Sequence, residues 1–341
     1  MNDLNLNGLS IRPATPADLP ALAGLLNAVW PEQPVSVQGL QHEEDSQNAS
    51  PLPLKRGRLL AELEGQVVGY AEHEQYAGMY HPQKFWVTLG VLPAFWGQGV
   101  GRELAARLWQ DLAPHDPVSL LSGTREDRPR GLDFLARQGF TEVMRYFDLY
   151  LNVPAFDFAP FAAQEALPEG YALTSYADLG ETEATQRRIY ALWSQLRADV
   201  PRPEAETPVP FESFARRFHE PEYLLPGGYL LAVHEASGEL VATSELWKSD
   251  GEHLSVGLTG VLSAHRRKGL ALALKLAAIR FAARLDAPEL RTGNASHNTG
   301  MLSINAALGF VKQPAWIEMR WEAAQWQVAQ GEAAQAAQNI L

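Results

Sequence analysis

Two stretches of this chain repeat each other at a fixed spacing. The first is Val91-Leu-Pro-Ala-Phe-Trp-Gly-Gln-Gly-Val-Gly101, running into the helical pattern Arg102–Trp109. The second is Val261-Leu-Ser-Ala-His-Arg-Arg-Lys-Gly-Leu-Ala271, running into Leu272–Phe281. Gly99 and Gly269 stand 170 positions apart, and so do Gly139-Phe140 and Gly309-Phe310 further on. Agreement in register over that length marks a duplication rather than a chance match of a short glycine motif. The chain therefore folds as two units of one design, and its 341 residues give each an ordinary domain length.

Each repeat places a glycine loop where a strand hands over to a helix. His253–Val261 alternates as a half-buried strand does, whereas the residues after Gly269 follow a helical period. The first amides of a helix have no intrahelical partner and carry the positive end of its dipole, so such a junction suits an anion. Gly269 lets a phosphate approach the backbone, and Arg266, Arg267 and Lys268 add charge. The alternative reading of that cluster is a solvated basic turn. With 28 basic and 40 acidic residues the net charge is −12, which disfavours nucleic acid and anionic membrane as partners. An anionic ligand thus needs a local basic site of this kind. The absence of cysteine excludes disulfides, thiolate nucleophiles and cysteine-based metal sites, and no metal is expected. The N-terminal residues lack a signal pattern and no apolar run reaches about 18 residues, so a cytoplasmic location is expected.

These residues resemble the GCN5-related N-acetyltransferases (GNAT). The family's pyrophosphate motif, Arg/Gln-x-x-Gly-x-Gly/Ala, is met in full by Arg266-x-x-Gly269-x-Ala271. Asn294-Ala-Ser-His-Asn298 through Asn305-Ala-Ala-Leu-Gly-Phe310 is similar to its later motif ending in Leu-Gly-Phe. The paired arrangement is similar to that of the tandem, mycothiol-synthase-like members. The resemblance implies an α/β fold of two tandem domains, each a mixed twisted sheet flanked by helices. It implies acetyl-CoA as cofactor: Thr259, Gly260 and Val261 on a splayed strand along the pantetheine, and Arg266, Arg267, Lys268, Gly269, Leu270 and Ala271 around the pyrophosphate. Asn298 or Asn305 would contact the cofactor arm. In the first copy the counterparts are Val91, Gly97, Gln98, Gly99, Val100 and Gly101, but Trp96 replaces the Arg/Gln and Leu135 stands where the family often has an acid tyrosine. That copy reads as degenerate or structural.

The elements follow in order. Thr15 caps a helix whose buried face is Leu19, Leu22, Leu25 and Leu26, and Val37–His42 suits a short helix. Hairpins turn at Glu64-Gly65 and Ser237-Gly238. Asp148–Val153 is expected to complete the first sheet, placing an N-terminal domain at 1–155, a linker at 156–168, a C-terminal domain at 169–322 and an Ala/Gln-rich tail at 323–341. The proline-rich loop Asp199–Pro210 reads either as an acidic rim for a cationic amine or as a solvated acidic loop. Glu245, at the strand position of Glu72, is a candidate general base or a sheet-face glutamate held in an ion pair. Asn305 falls at the family's acid position but cannot protonate a thiolate, so it either orients the cofactor or packs. The function expected is acetyl transfer to a primary amine of a small molecule, with a non-catalytic acyl-CoA-binding or sensor protein as the alternative. A dinucleotide-binding fold is disfavoured, because no Gly-x-Gly-x-x-Gly opens either half.

Overall fold

The computed structural model describes residues 8–323. The first half of the chain forms β1 (Leu9–Pro13), α1 (Leu19–Val29), α2 (Val37–Asn48), β2 (Arg56–Leu63), β3 (Gln66–Glu74), β4 (Lys84–Val91), α3 (Val100–Leu112), β5 (Ser119–Arg125), α4 (Pro129–Arg137) and β6 (Thr141–Asn152). The second half forms β7 (Tyr171–Ser175), α5 (Glu183–Arg197), α6 (Phe211–Ala215), β8 (Leu224–His234), β9 (Glu239–Lys248), β10 (Leu254–Val261), α7 (Leu270–Arg284), β11 (Glu289–Ala295), α8 (Thr299–Ala307), β12 (Val311–Lys312) and β13 (Trp316–Glu322). Among the described residues no helix is long and apolar enough to cross a membrane.

Local chemistry sets the boundaries. Glu64 and Gly65 both take positive φ, which closes the β2–β3 hairpin in two residues. The Thr182 hydroxyl accepts the Thr185 amide and starts α5, while Asp18 closes a capping box with Thr15 ahead of α1. Gly139 and Gly309, both left-handed, end α4 and α8. Leu19, Leu22 and Leu25 are buried as expected, and α2 runs on to Asn48, longer than the six residues read from the sequence.

The described chain divides into two compact units: unit 1 runs up to Met144 and resumes at Trp316, and unit 2 is Arg145–Ala315. In unit 1 the strand order is β1-β2-β3-β4-β5-β13, antiparallel except for the β4–β5 pair. In unit 2 it is β7-β8-β9-β10-β11-β6, with β10–β11 parallel. The last strand of each sheet thus comes from the other half of the chain. Asp148–Val153 does not complete the first sheet: Asp148 pairs with Gly293 and Asn152 with Glu289. Leu149, Leu151 and Val153 are buried in the core of unit 2 with Leu274, Ile279 and Leu290. In unit 1 the place is taken by β13, which buries Ile317, Met319 and Trp321. A period of two shows that a strand buries one face, but both sheets offer the same kind of edge. The segment 156–168, read as a linker, packs Phe156, Phe158, Phe161 and Leu167 on the core of unit 2. The tail lies, from residue 324 on, outside the described residues.

Candidate active site

The two glycine loops share one backbone conformation. Gly99 and Gly269 are left-handed at φ 93° and 86° and begin α3 and α7; two residues earlier Gly97 and Arg267 are left-handed as well, at 76° and 60°. A side chain at such a φ is strained by about 1–2 kcal/mol, and unit 2 nevertheless carries arginine there. A Cβ added at Gly269 meets no atom within 4 Å, so the space in front of the helix start is open. The Arg266 Nε donates to the Val261 carbonyl at 2.9 Å; in unit 1 the Trp96 indole donates to the corresponding Val91 carbonyl at 2.7 Å. Trp96 therefore replaces the fastening of the loop and loses only its charge.

The three cations are not equally available. The Arg266 guanidinium also pairs with Asp199, and Lys268 donates to the Tyr171 hydroxyl at 2.8 Å and lies over its ring. His265 meets the same hydroxyl at 2.8 Å, and partial burial followed by the neighbouring His234 and Lys268 pushes its pKa below the ordinary value. Two acids of the 199–210 loop are held in ion pairs. Asp199 is taken by Arg266, and Glu206 by Arg197 at 2.7 Å and Arg202 at 2.5 Å.

Behind the loop the strands part. β10 and β11 pair only over Leu254–Ser255, and the β9–β10 register slips between Val256 and Thr259, a bulge that takes Gly257 and Leu258 out of the ladder. A Cβ on Gly257 would lie 2.9 Å from the Trp247 indole nitrogen and 3.0 Å from the Glu245 carboxylate, so glycine is required there. The parting opens a cleft of about 380 Å³ lined by Gly257, Leu258, Thr259, Thr292, Asn294, Asn298, Lys275 and, from α5 and its loop, Trp193, Arg197 and Arg202. Thr259 and Asn298 are thus brought together at one cleft.

Asn305 is placed one step back. It is fully buried on α8, and its amide donates to the Asn294 Oδ1 at 2.6 Å. Asn298 caps α8 by accepting the Met301 amide at 3.3 Å. Glu245, 3% exposed, accepts the Tyr229 hydroxyl at 2.9 Å, the Trp247 indole at 3.2 Å and the Leu258 amide freed by the bulge, with Arg217 at 4.0 Å. Burial pushes its pKa up, against the pull of Arg217. These donors tie both of its oxygens to neighbouring groups, so it serves as the peg of the bulge. Glu72 on β3 is likewise buried and is bound by Arg56 and by Arg58 at 3.0 Å. Glu72 thus sits between two arginines, whereas Glu245 is held mainly by neutral donors.

Sequence reasoning missed Lys275. It lines the cleft at 2% exposure, its Nζ has no hydrogen-bond partner among the described residues, and burial pushes its pKa down to about 7. The available signal was a lysine on the apolar stripe of α7, flanked by Leu274 and Leu276. Unit 1 has Ala105 at that position. There the β3–β4 ladder runs unbroken from Gly69↔Val91 to Glu74↔Trp86. At the β5–α4 corner, Arg125 and Arg128 converge on Glu32, at 3.4 and 2.8 Å. Their counterparts in unit 2 are Ala295 and the cleft residue Asn298.

The sequence matches the family model described as the acetyltransferase (GNAT) family twice, over residues 22–140 and 189–310. No curated protein matches it. Among solved structures it is similar to a tandem GNAT protein from the clavulanic acid biosynthesis pathway, at 24% identity and a TM-score of 0.71, covering 92% of this chain and 98% of that one. It is also similar to a GCN5-related N-acetyltransferase from Sphaerobacter thermophilus, at 21% identity and a TM-score of 0.65, covering 93% and 96%. With the family matched in both halves, this chain belongs to the acetyltransferase (GNAT) family and carries two copies of its fold.

Proposed function

We propose that the protein transfers an acetyl group from acetyl-CoA to a primary amine of a small molecule, and that it does so in unit 2. The observation that carries this reading is the bulged, parted β10, which joins an open helix-start loop to a cleft. Past Ser255 the β11 side of β10 has no strand partner, so its backbone groups are available to the amides of a pantetheine arm as a neighbouring strand would use them. The helix-start amides after Gly269, with Arg267 exposed beside them, suit the pyrophosphate. The thioester supplies an acyl carbon open to attack; the amine nitrogen forms a bond to it, the carbon–sulfur bond breaks, and the proton lost by the amine ends on the departing thiolate. Unit 2 contributes positioning, which is a large term for a two-substrate reaction. Neither the Asn305 amide nor the occupied Glu245 carboxylate moves that proton, so it passes through water.

That same shortage supports a second reading, an acyl-CoA-binding or sensor protein without turnover. Thiol release from acetyl-CoA with a panel of primary amines distinguishes the two. Release that depends on both amine and protein is expected; binding of CoA with no release for any amine would favour the sensor.

A further inference from the structure

Acyl transfer as described makes no use of Lys275, although it lines the cleft. The charged form of a buried lysine is costly unless it is paired, and Lys275 has the ring of Phe310 at 5.2 Å and, among the described residues, no hydrogen-bond acceptor. The fold does not require it, since unit 1 has alanine at this place. Its depth is informative. Lys275 lies five residues into α7 from Leu270, roughly 7–8 Å along the helix, and Leu258 lies three residues before Val261, about 10 Å along β10. The Lys275 backbone therefore stands at about the depth of the bulge, and the residue lines the same cleft as Gly257, Leu258 and Thr259.

The charge around it points the same way. Arg197 and Arg202 also line the cleft, and both pair with Glu206 outside its lining, while no aspartate or glutamate is among the described residues that line it. A neutral acetyl group and an amine bring no negative charge to this cationic lining. A carboxylate satisfies both the orphaned amine and the field.

We propose that the cleft of unit 2 receives a ligand with a carboxylate close to the transferred acyl carbon, bound by Lys275 with Arg197 and Arg202 beside it. This rests on the reading that an acyl-CoA thioester lies in the cleft. The carboxylate belongs either to the acyl chain, making the donor a short dicarboxylic monothioester, or to the acceptor, making it an amino acid. In both cases the carboxylate is carried through the transfer unchanged.

The test uses the full chain. Calorimetry compares CoA, acetyl-CoA and succinyl-CoA, and thiol release compares the two donors with glycine against methylamine and β-alanine against ethylamine as acceptors. An affinity for succinyl-CoA at least tenfold above that for acetyl-CoA assigns the carboxylate to the donor. A tenfold preference in kcat/KM for the carboxylated acceptors assigns it to the acceptor. Either preference falls toward one in Lys275→Met, which keeps the length of the side chain and removes the charge, and Lys275→Arg retains part of it. CoA binding with no preference in either arm overturns the proposal and leaves the underlying reading intact, whereas failure of CoA itself to bind ends both. If Lys275→Met does not fold, the wild-type ratios still decide the ligand chemistry and Lys275→Gln decides the residue.

Discussion

Trp96 and Arg266 show how residue-scale reading succeeds and where it stops. The sequence says that a charge is lost at Trp96; that an indole N–H would fasten the same carbonyl as a guanidinium is a matter of geometry. Loop charge is still expected to decide where the cofactor goes. Gly269→Glu places a carboxylate in the open space before α7 and should weaken CoA binding at least tenfold, whereas Gly99→Glu should change it less than twofold. Gly269→Asn, with the same φ strain but no charge, separates repulsion from distortion; calorimetry reads all three. Lys275 gives a pH signature. Its pKa is about 7 folded and 10.5 at the ordinary value, so between these the unfolded chain binds more protons and stability rises with pH. The full penalty applies below pH 7 and is absent above 10.5. Lys275→Met should therefore raise the urea midpoint at pH 7 and flatten its dependence up to about pH 10; an unchanged slope would show that Lys275 is not buried as a base.

At the scale of elements, most of the site was legible, because its signals are local. Glycines at forced φ, caps and period changes marked the loops, the hairpins and the helix that carries the asparagines. The bulge was not legible: Gly257 reads as one more strand glycine, and only the packing of Trp247 and Glu245 against it shows why the strand must bend. Glu245 was legible as a carboxylate on the third strand with two open roles, and its burial among donors favours the structural one. Glu245→Gln should thus destabilise the protein by about 1–3 kcal/mol, because an amide group would face N–H donors, and should leave the acid limb of the pH–rate profile in place. Loss of that limb would restore Glu245 as the base. For the same reason Trp96→Arg is not expected to create a second site. The charge would be restored, but β4 would still lack the bulge and the β5–α4 corner would still hold its ion pairs. CoA stoichiometry should stay at one per chain.

For the whole molecule, the duplication set the number of units but not which strands belong to them. The strand exchange rests on long-range pairing, and Leu149, Leu151 and Val153 alternate in the same way whichever sheet they join. This has a measurable consequence for cutting the chain. Residues 169–322, the domain as the sequence divides it, would lack β6, leaving one side of β11 unpaired and three aliphatic side chains missing from the core. At about 1.5–3 kcal/mol each, their loss removes roughly 5–9 kcal/mol, comparable with the 5–15 kcal/mol that stabilises an ordinary domain. The same fragment would also carry β13, whose Ile317, Met319 and Trp321 have no place in that sheet and would favour aggregation. Residues 145–315 keep the part of β6 that pairs with β11 and the packed segment 156–168 and dispense with β13. That fragment should unfold cooperatively in urea and bind CoA with the affinity of the full chain, while 169–322 should show neither behaviour. A cooperative 169–322 fragment that binds CoA would mean that β6 is dispensable to the unit whose core it fills.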